Sequence, residues 1–352
     1  MRRYYGCDAH KAYSIFTWVD DQGGSGPFFR VKNDRNEFKE YIGTLPPASP
    51  IALETVGNWY WMADEIEKAG HIPILANAAR ARAMMGQVNK TDKLDAKGLA
   101  TLLRNGTLPS VWIPSGKLRD ECELTRMRMA LIRTRTMIKN RIHATLSKYA
   151  IKIDEVSDIF GPKGRKIIED RSRELPPYTQ KCLCKELELL NEVEDKISQI
   201  EVQIKAVMIE TEEIKLLRTI PGIGLILAVV ISTEIGDINR FSGPEKLASY
   251  SGTVPRVKAS GGKVFYGPIR PDVNRYLKWA FIEAANTVVI FHKKWSNRHV
   301  AKLYGRLRAK KGHSKSVVAV ARHLAEATYW VLKKREPYKE KDVKNPVSST
   351  RK

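Results

Sequence analysis

Acidic residues are in short supply: 39 Asp and Glu face 61 Lys and Arg, which leaves a formal charge of +22 and a pI near 9.8. That imbalance argues for a polyanionic partner, with nucleic acid the first candidate. Long apolar runs are missing as well. No stretch approaches the roughly 18 residues that a membrane-spanning helix needs. The basic start, Met1-Arg2-Arg3, meets Asp8, His10 and Lys11 where a secretory signal would be apolar. A cytoplasmic protein with no membrane partner is expected. Cysteine is sparse (Cys7, Cys122, Cys182 and Cys184), and no two have the spacing of a Cys-x-x-Cys zinc or redox motif. Free thiols in a reducing compartment follow. The histidines are few and scattered, which argues against a zinc site. Internal repeats and low-complexity tracts are lacking.

The chain has 352 residues, enough for two or three cores, and an ordinary 43% of hydrophobic residues. Up to about residue 110, short β-type runs alternate with helical patterns. Segments 3–7, 12–19 and 28–31 read as strands, with a turn at 20–24. A helix is predicted over 33–42, capped by Asn33 or Asp34, then a strand over 50–54 and a helix over 58–69. A strand over 71–76 and a helix over 91–103 complete the series. Three strands joined by tight turns, then β-α-β-α, predict a mixed sheet covered by helices.

The middle of the chain differs. Segment 118–150 has neither glycine nor proline, and it places Arg126, Arg128, Arg133, Arg135, Lys139 and Arg141 in one long helix. Glycines and prolines in 158–177 break the helical run. A second long helix is predicted over 181–218, where Leu187, Leu190, Val193, Ile197, Ile200, Ile204 and Val207 alternate steps of three and four, the spacing of a coiled-coil seam. Helices are also predicted over 225–235, 273–289 and 314–332, with a loop from 253 to about 271 and a charged, loosely ordered tail after Lys333.

Four acids of the first part stand out. Asp8 ends the first strand and Glu54 the fourth; a charge ending an apolar strand is costly without a partner. In a ribonuclease-H-like sheet these two strands are parallel neighbours, which would set the carboxylates side by side. Asp92 and Asp95, three apart on a helix, share one face. Four converging carboxylates repel unless divalent cations stand between them. Two such ions can stabilise the attacking and leaving oxygens of a phosphodiester. Taken singly, an acid in such a place is usually a turn or cap residue.

Two further segments carry polar chemistry. Pro221-Gly222-Ile223-Gly224 lies between helical stretches, where Gly222 and Gly224 would let backbone N–H groups approach a phosphate; a simple glycine turn would look the same. The segment 256–263 is basic and glycine-rich. It holds Arg256, Lys258 and Lys263 around Ser260, with Arg270 and Arg275 following. Ser260 could contact phosphate or attack it, although on spacing alone such a residue is more often a flexible loop serine.

Together these segments resemble the DEDD-type insertion-sequence transposases, the RuvC-like family of bridge-RNA-guided recombinases. Tyr5-Gly6-Cys7-Asp8-Ala9-His10-Lys11, Glu54-Thr55-Val56-Gly57 and Lys90-Thr91-Asp92-Lys93-Leu94-Asp95-Ala96 are similar to its acidic motifs. Ile220-Pro221-Gly222-Ile223-Gly224 and Leu247-Ala248-Ser249-Tyr250-Ser251-Gly252 are similar to its second conserved domain. The resemblance implies an α/β RNase H-like domain over 1–112 and a helical coiled-coil linker over 113–215. It further implies a mostly helical C-terminal transposase domain over 216–335 and a charged tail over 336–352. Asp8, Glu54, Asp92 and Asp95 would hold Mg²⁺ or Mn²⁺, with Lys90 among the nucleic-acid contacts. Ser260 would be a nucleophile working with another subunit's acids, in a dimer assembling to a tetramer. The partners implied are donor and target DNA and a noncoding guide RNA. His10, where many members have a small residue, and the insert at 158–177 are departures expected to leave the acids untouched. The rival readings are a junction-resolving nuclease that uses water, and a non-catalytic nucleic-acid-binding protein.

Overall fold

The computed structural model describes residues 1–86, 91–208, 211–270 and 272–340. Within these the chain forms two compact units, Met1–Gly116 and Lys117–Lys352.

The first unit is built on a six-stranded mixed sheet. Strand β1 (Arg3–Ala9) pairs antiparallel with β2 (Tyr13–Asp20), which pairs antiparallel with β3 (Phe29–Lys32). Helix α1 (Arg35–Gly43) follows, and the Asp34 carboxylate accepts from the N–H groups of Asn36 and Glu37 to cap it. Strand β4 (Pro50–Glu54) then lies parallel to β1, with Tyr5, Gly6 and Cys7 opposite Ile51, Ala52 and Leu53. After α2 (Trp59–Lys68) comes β5 (Ile72–Ala76), parallel to β4. Helices α3 (Ala78–Met85) and α4 (Asp92–Arg104) precede the short edge strand β6 (Ser110–Val111). The strand order is β3-β2-β1-β4-β5-β6.

Strand alternation divides the side chains between two layers. Tyr5, Cys7, Ile51 and Leu53 pack with Phe38 and Ile42 of α1 and with Met62 and Ile66 of α2. Ala52 and Ala76 face the other way, towards Ala81 of α3 and Leu99 and Leu102 of α4. With both faces covered, β4 is apolar up to Glu54, its last residue, as a buried parallel strand must be. Gly6 sets how closely α4 sits on β1: a β-carbon there would lie 2.0 Å from the Ala96 carbonyl oxygen.

The second unit opens with two long helices, α5 (Gly116–Lys148) and, after α6 (Pro162–Arg171), α7 (Pro177–Met208). The predicted break at 158–177 therefore contains a helix. Pro162 and Pro177 are starting residues, not breakers, because a first-turn proline gives up no helical hydrogen bond. Arg128 pairs with Glu201 at 2.7 Å and Arg141 with Glu186 at 2.9 Å, so α5 and α7 run antiparallel. The seam residues Leu187, Leu190, Val193 and Ile197 of α7 are buried against Leu131, Ile138, Ile142 and Leu146 of α5. The side chain of Val207 lies outside the described residues.

A short α8 (Glu212–Leu217) follows, so the predicted helix over 181–218 is two helices. The rest comprises α9 (Leu225–Ile235), α10 (Pro244–Tyr250), a hairpin of β7 (Pro255–Ser260) and β8 (Lys263–Ile269), α11 (Arg275–Ile290), α12 (His299–Lys311) and α13 (His313–Lys334). Their apolar faces meet around Phe281, Ala284, Val320 and Leu324. The segment read as a loop up to residue 271 is a hairpin, and α12 was not anticipated. No helix among the described residues is long and apolar enough to cross a membrane.

Candidate active site

Asp8 is the most buried of the predicted acids, at 8% exposure. It lies on β1 two residues beyond Gly6, so alternation turns it to the α4 side of the sheet. The close seating that Gly6 permits brings the first turn of α4 over it. Thr91 caps that turn by accepting from Leu94 N–H at 3.3 Å, and Asp92 is the first helical residue. Glu54 ends β4 one step past the Cys7–Leu53 pair, on the same face as Ala52, and is half-buried.

The tightest grouping is not the four predicted acids. Ligand atoms of Asp8, His10 and Asp92 all lie within 4.8 Å of one another. His10 Nε2 stands 3.1 Å from Asp8 Oδ2 and 3.2 Å from Asp92 Oδ2. The expectation that His10 leaves the acids untouched is overturned: its ring lies between two of them. Glu54 and Asp95 fall outside this trio. Asp95 is still near enough to act on Asp8 through its charge. Burial pushes the Asp8 carboxyl above its ordinary range; the His10 ring opposes that, and the charges of Asp95 and Asp92 add to it. Asp8 Oδ2 and His10 Nε2 are buried atoms that meet each other at 3.1 Å as an ion-pair contact, without the alignment of a regular hydrogen bond.

The support behind the trio is specific. The Tyr13 hydroxyl donates to Asp92 Oδ2 at 2.9 Å, which raises the Tyr13 pKa, and the Arg30 guanidinium lies 3.9 Å from the Tyr13 ring centre. The turn carrying His10 is closed by its own N–H donating to the Tyr13 carbonyl at 2.9 Å. The His10 carbonyl accepts from the side-chain amides of Asn33 at 2.5 Å and Asn58 at 2.9 Å. Asn33 read only as a candidate helix cap, and Tyr13 and Asn58 carried no signal, because their relation to the acids exists only once β1, β2 and the start of α2 are assembled. Beside the trio, Tyr13, Phe28, Arg30, Asp92 and Lys93 line an open groove of about 610 Å³. Lys90 lies outside the described residues.

The C-terminal candidates sit in the second unit. Ser260 and Lys263 are cross-strand partners at the tip of the hairpin, joined by Gly261 and Gly262 with φ of +55° and +73°. Two successive left-handed residues form the tight turn that suits a two-residue hairpin loop. Lys258 pairs with Phe265, and it shares a face with Ser260 and Lys263. The other face carries Val257, Ala259, Val264 and Tyr266. Ser260 therefore stands exposed at an arm's tip on its basic face. Arg256 lies at a register shift near the hairpin's base and is exposed. Arg270 is held by the Asp272 carboxylate, with Nε donating at 2.8 Å. Arg275 begins α11 and is exposed. Gly224 caps α9 and is exposed, whereas Gly222 has a packing reason: a β-carbon there would lie 2.3 Å from the Ala284 carbonyl oxygen.

A six-stranded mixed sheet with acids at the ends of two parallel central strands and at the start of the covering helix fits the ribonuclease-H-like class. Residues 5–151 match the DEDD-type model described as a transposase, and residues 214–301 match the transposase family named for IS116, IS110 and IS902. The chain belongs to this family of insertion-sequence transposases and is a DNA-processing enzyme. It is 26% identical over 300 residues to the transposase for insertion sequence element IS1328 of Yersinia enterocolitica, covering 83% of this chain and 85% of the relative. It is 26% identical over 252 residues to the transposase for IS1111A of Coxiella burnetii, covering 71% and 69%. A putative transposase of Sinorhizobium fredii is 24% identical over 335 residues, covering 95% of this chain and 85% of the relative.

Proposed function

We propose that the protein catalyses site-specific DNA cleavage and strand exchange, with a divalent cation at its acidic site and Ser260 as nucleophile. The observation that supports this most is the Asp8–His10–Asp92 grouping, in which a buried carboxylate oxygen meets only the His10 ring, at 3.1 Å and without an aligned hydrogen bond. Anionic side chains gathered in a strongly basic chain, with a buried carboxylate oxygen aimed into the group, fit Mg²⁺ or Mn²⁺. Asp8 and Asp92 would hold the ion, with Glu54 and Asp95 at its margin. When bound, such an ion polarises the phosphoryl oxygens and offsets the charge of the attacking and leaving oxygens.

The residues of the chain do the remaining work. Tyr13 fixes Asp92 in one orientation. Arg30 and Lys93, at the groove beside it, attract the DNA backbone. In the second unit, Lys258 and Lys263 offer charge to the phosphate on which Ser260 acts. The Ser260 oxygen bonds to phosphorus as a DNA hydroxyl leaves. The incoming DNA hydroxyl later displaces the serine, so the phosphodiester is conserved and water is not consumed. A noncoding guide RNA would choose donor and target DNA, since base pairing carries sequence information that no residue here needs to encode. The chain would work as an oligomer, a dimer assembling to a tetramer. The division into a catalytic domain, a coiled-coil linker, a C-terminal domain and a tail belongs to the same reading. It is supported by the separate apolar clusters of the α5–α7 hairpin and the C-terminal helices.

Strand exchange assayed on a donor–target pair tests the proposal. Asp92→Ala and Ser260→Ala should each abolish recombination and leave the folded protein intact. Trapping of a covalent protein–DNA adduct in the wild type, absent in Ser260→Ala, is expected. Wild-type recombination by Ser260→Ala would remove Ser260 from the mechanism, whereas metal-dependent cleavage without an adduct or strand exchange would leave a water-using nuclease chemistry in its place. Full activity of Asp92→Ala would remove the acidic site from the reaction.

A further inference from the structure

We propose that His10 is a nitrogen ligand of the cation site, giving it a preference for first-row transition ions over Mg²⁺. This rests on the metal-dependent reading above and goes beyond its carboxylate set.

Three observations carry it. First, Nε2 of His10 is a buried atom without a hydrogen bond, 3.1 Å and 3.2 Å from one oxygen each of Asp8 and Asp92. A ring turned outward to solvent, or bonded to a backbone carbonyl, would have no such aim. Second, Asp8 Oδ2, on a residue more than nine-tenths buried, likewise has no aligned hydrogen bond and meets only the His10 ring at 3.1 Å. Native folds leave few buried polar atoms without partners, and a bound ion accounts for both at once. Third, the residue's backbone is held on every side. Its N–H bonds to Tyr13, its carbonyl accepts from Asn33 and Asn58, and its ring lies 4.9 Å from the Tyr13 ring. Ligating residues are characteristically fixed by such outer contacts.

A histidine that merely paired with two carboxylates would gain from the same proximity. The two roles differ in what they do to ion choice. Imidazole nitrogen suits first-row transition ions, whereas Mg²⁺ takes oxygen and keeps its waters. A nitrogen in the set therefore strengthens Mn²⁺ or Co²⁺ binding and does little for Mg²⁺.

Electron spin-echo modulation of Mn²⁺ added to the full-length protein decides between them. Wild type should show the ¹⁴N modulation of a directly bound imidazole. His10→Gln, checked for folding by circular dichroism and a thermal melt, should lose it. Its Mn²⁺ affinity should fall by about tenfold or more, with Mg²⁺ affinity much less affected. His10→Asp should bind Mn²⁺ without the nitrogen signal. If Mn²⁺ binds in a manner abolished by Asp8→Asn yet shows no ¹⁴N modulation, or if the modulation survives in His10→Gln, the inference falls and the metal-dependent reading stands. If Asp8→Asn changes no ion binding at all, both fall.

Discussion

At the scale of single residues, Asp8 is held where its charge is disfavoured. Its carboxyl is buried, and the charges of Asp92 and Asp95 further disfavour its ionised form. A carboxylate whose folded-state pKa lies above its unfolded value destabilises the fold at neutral pH, where the unfolded chain releases the proton freely. Removing that charge should help when no cation is present. Asp8→Asn is expected to raise Tm by a few degrees in chelator-treated buffer, about 1 kcal/mol for a unit of this size. Added Mn²⁺ should stabilise the wild type and leave the variant unchanged. A melting point lower than wild type in chelator would contradict the assigned repulsion. The acids were legible one by one because each sits at a strand end or helix start, where the sequence marks a boundary. His10 was not. Its aim depends on a turn whose carbonyl is held by Asn33 and Asn58, residues remote in sequence, so spacing alone carried no sign of it.

At the scale of elements, the site exists because α4 rests directly on β1. Gly6 makes the contact possible, and any larger residue must displace the helix backbone, since the added carbon would also lie 2.7 Å from Ala100 N. Gly6→Ala should cost about 3 kcal/mol in a denaturant melt and weaken ion binding, because Asp92 and Asp95 move with α4. Ion binding at wild-type strength in a folded Gly6→Ala protein would show that the seating of α4 does not set the site. Elements with a strong apolar period were readable, including β4, α5 and the buried seam of α7. Those missed share a physical cause. Strand β6 is two residues long and α3 buries only Ala81, so neither leaves a hydrophobic pattern. The β7–β8 hairpin is exposed on both faces, so its alternation marks no core. The Gly261–Gly262 pair was its one signal, and it read as a loop.

For the molecule as a whole, the charge of +22 is the largest single clue to its substrate, and the exposed hairpin concentrates part of it around Ser260. Phosphate contacts release counterions, so binding should weaken steeply with salt. The double variant Lys258→Ala, Lys263→Ala should lower the slope of log affinity against log salt by about 2. Ser260→Ala should leave that slope unchanged. An unchanged slope in the double variant would take the hairpin out of the DNA contact. The excess of basic charge was plain from composition. Which lysines share a face with Ser260 was not, because that depends on the strand register.

The central claim is that Asp8 and Asp92, with His10 between them, hold a divalent cation within one chain. Anomalous diffraction from a crystal soaked in Mn²⁺ tests it directly. The account predicts a peak bounded by Asp8 and Asp92. A peak elsewhere, with Asp8 still paired to His10 and Asp92 to His10 and Tyr13, would contradict it.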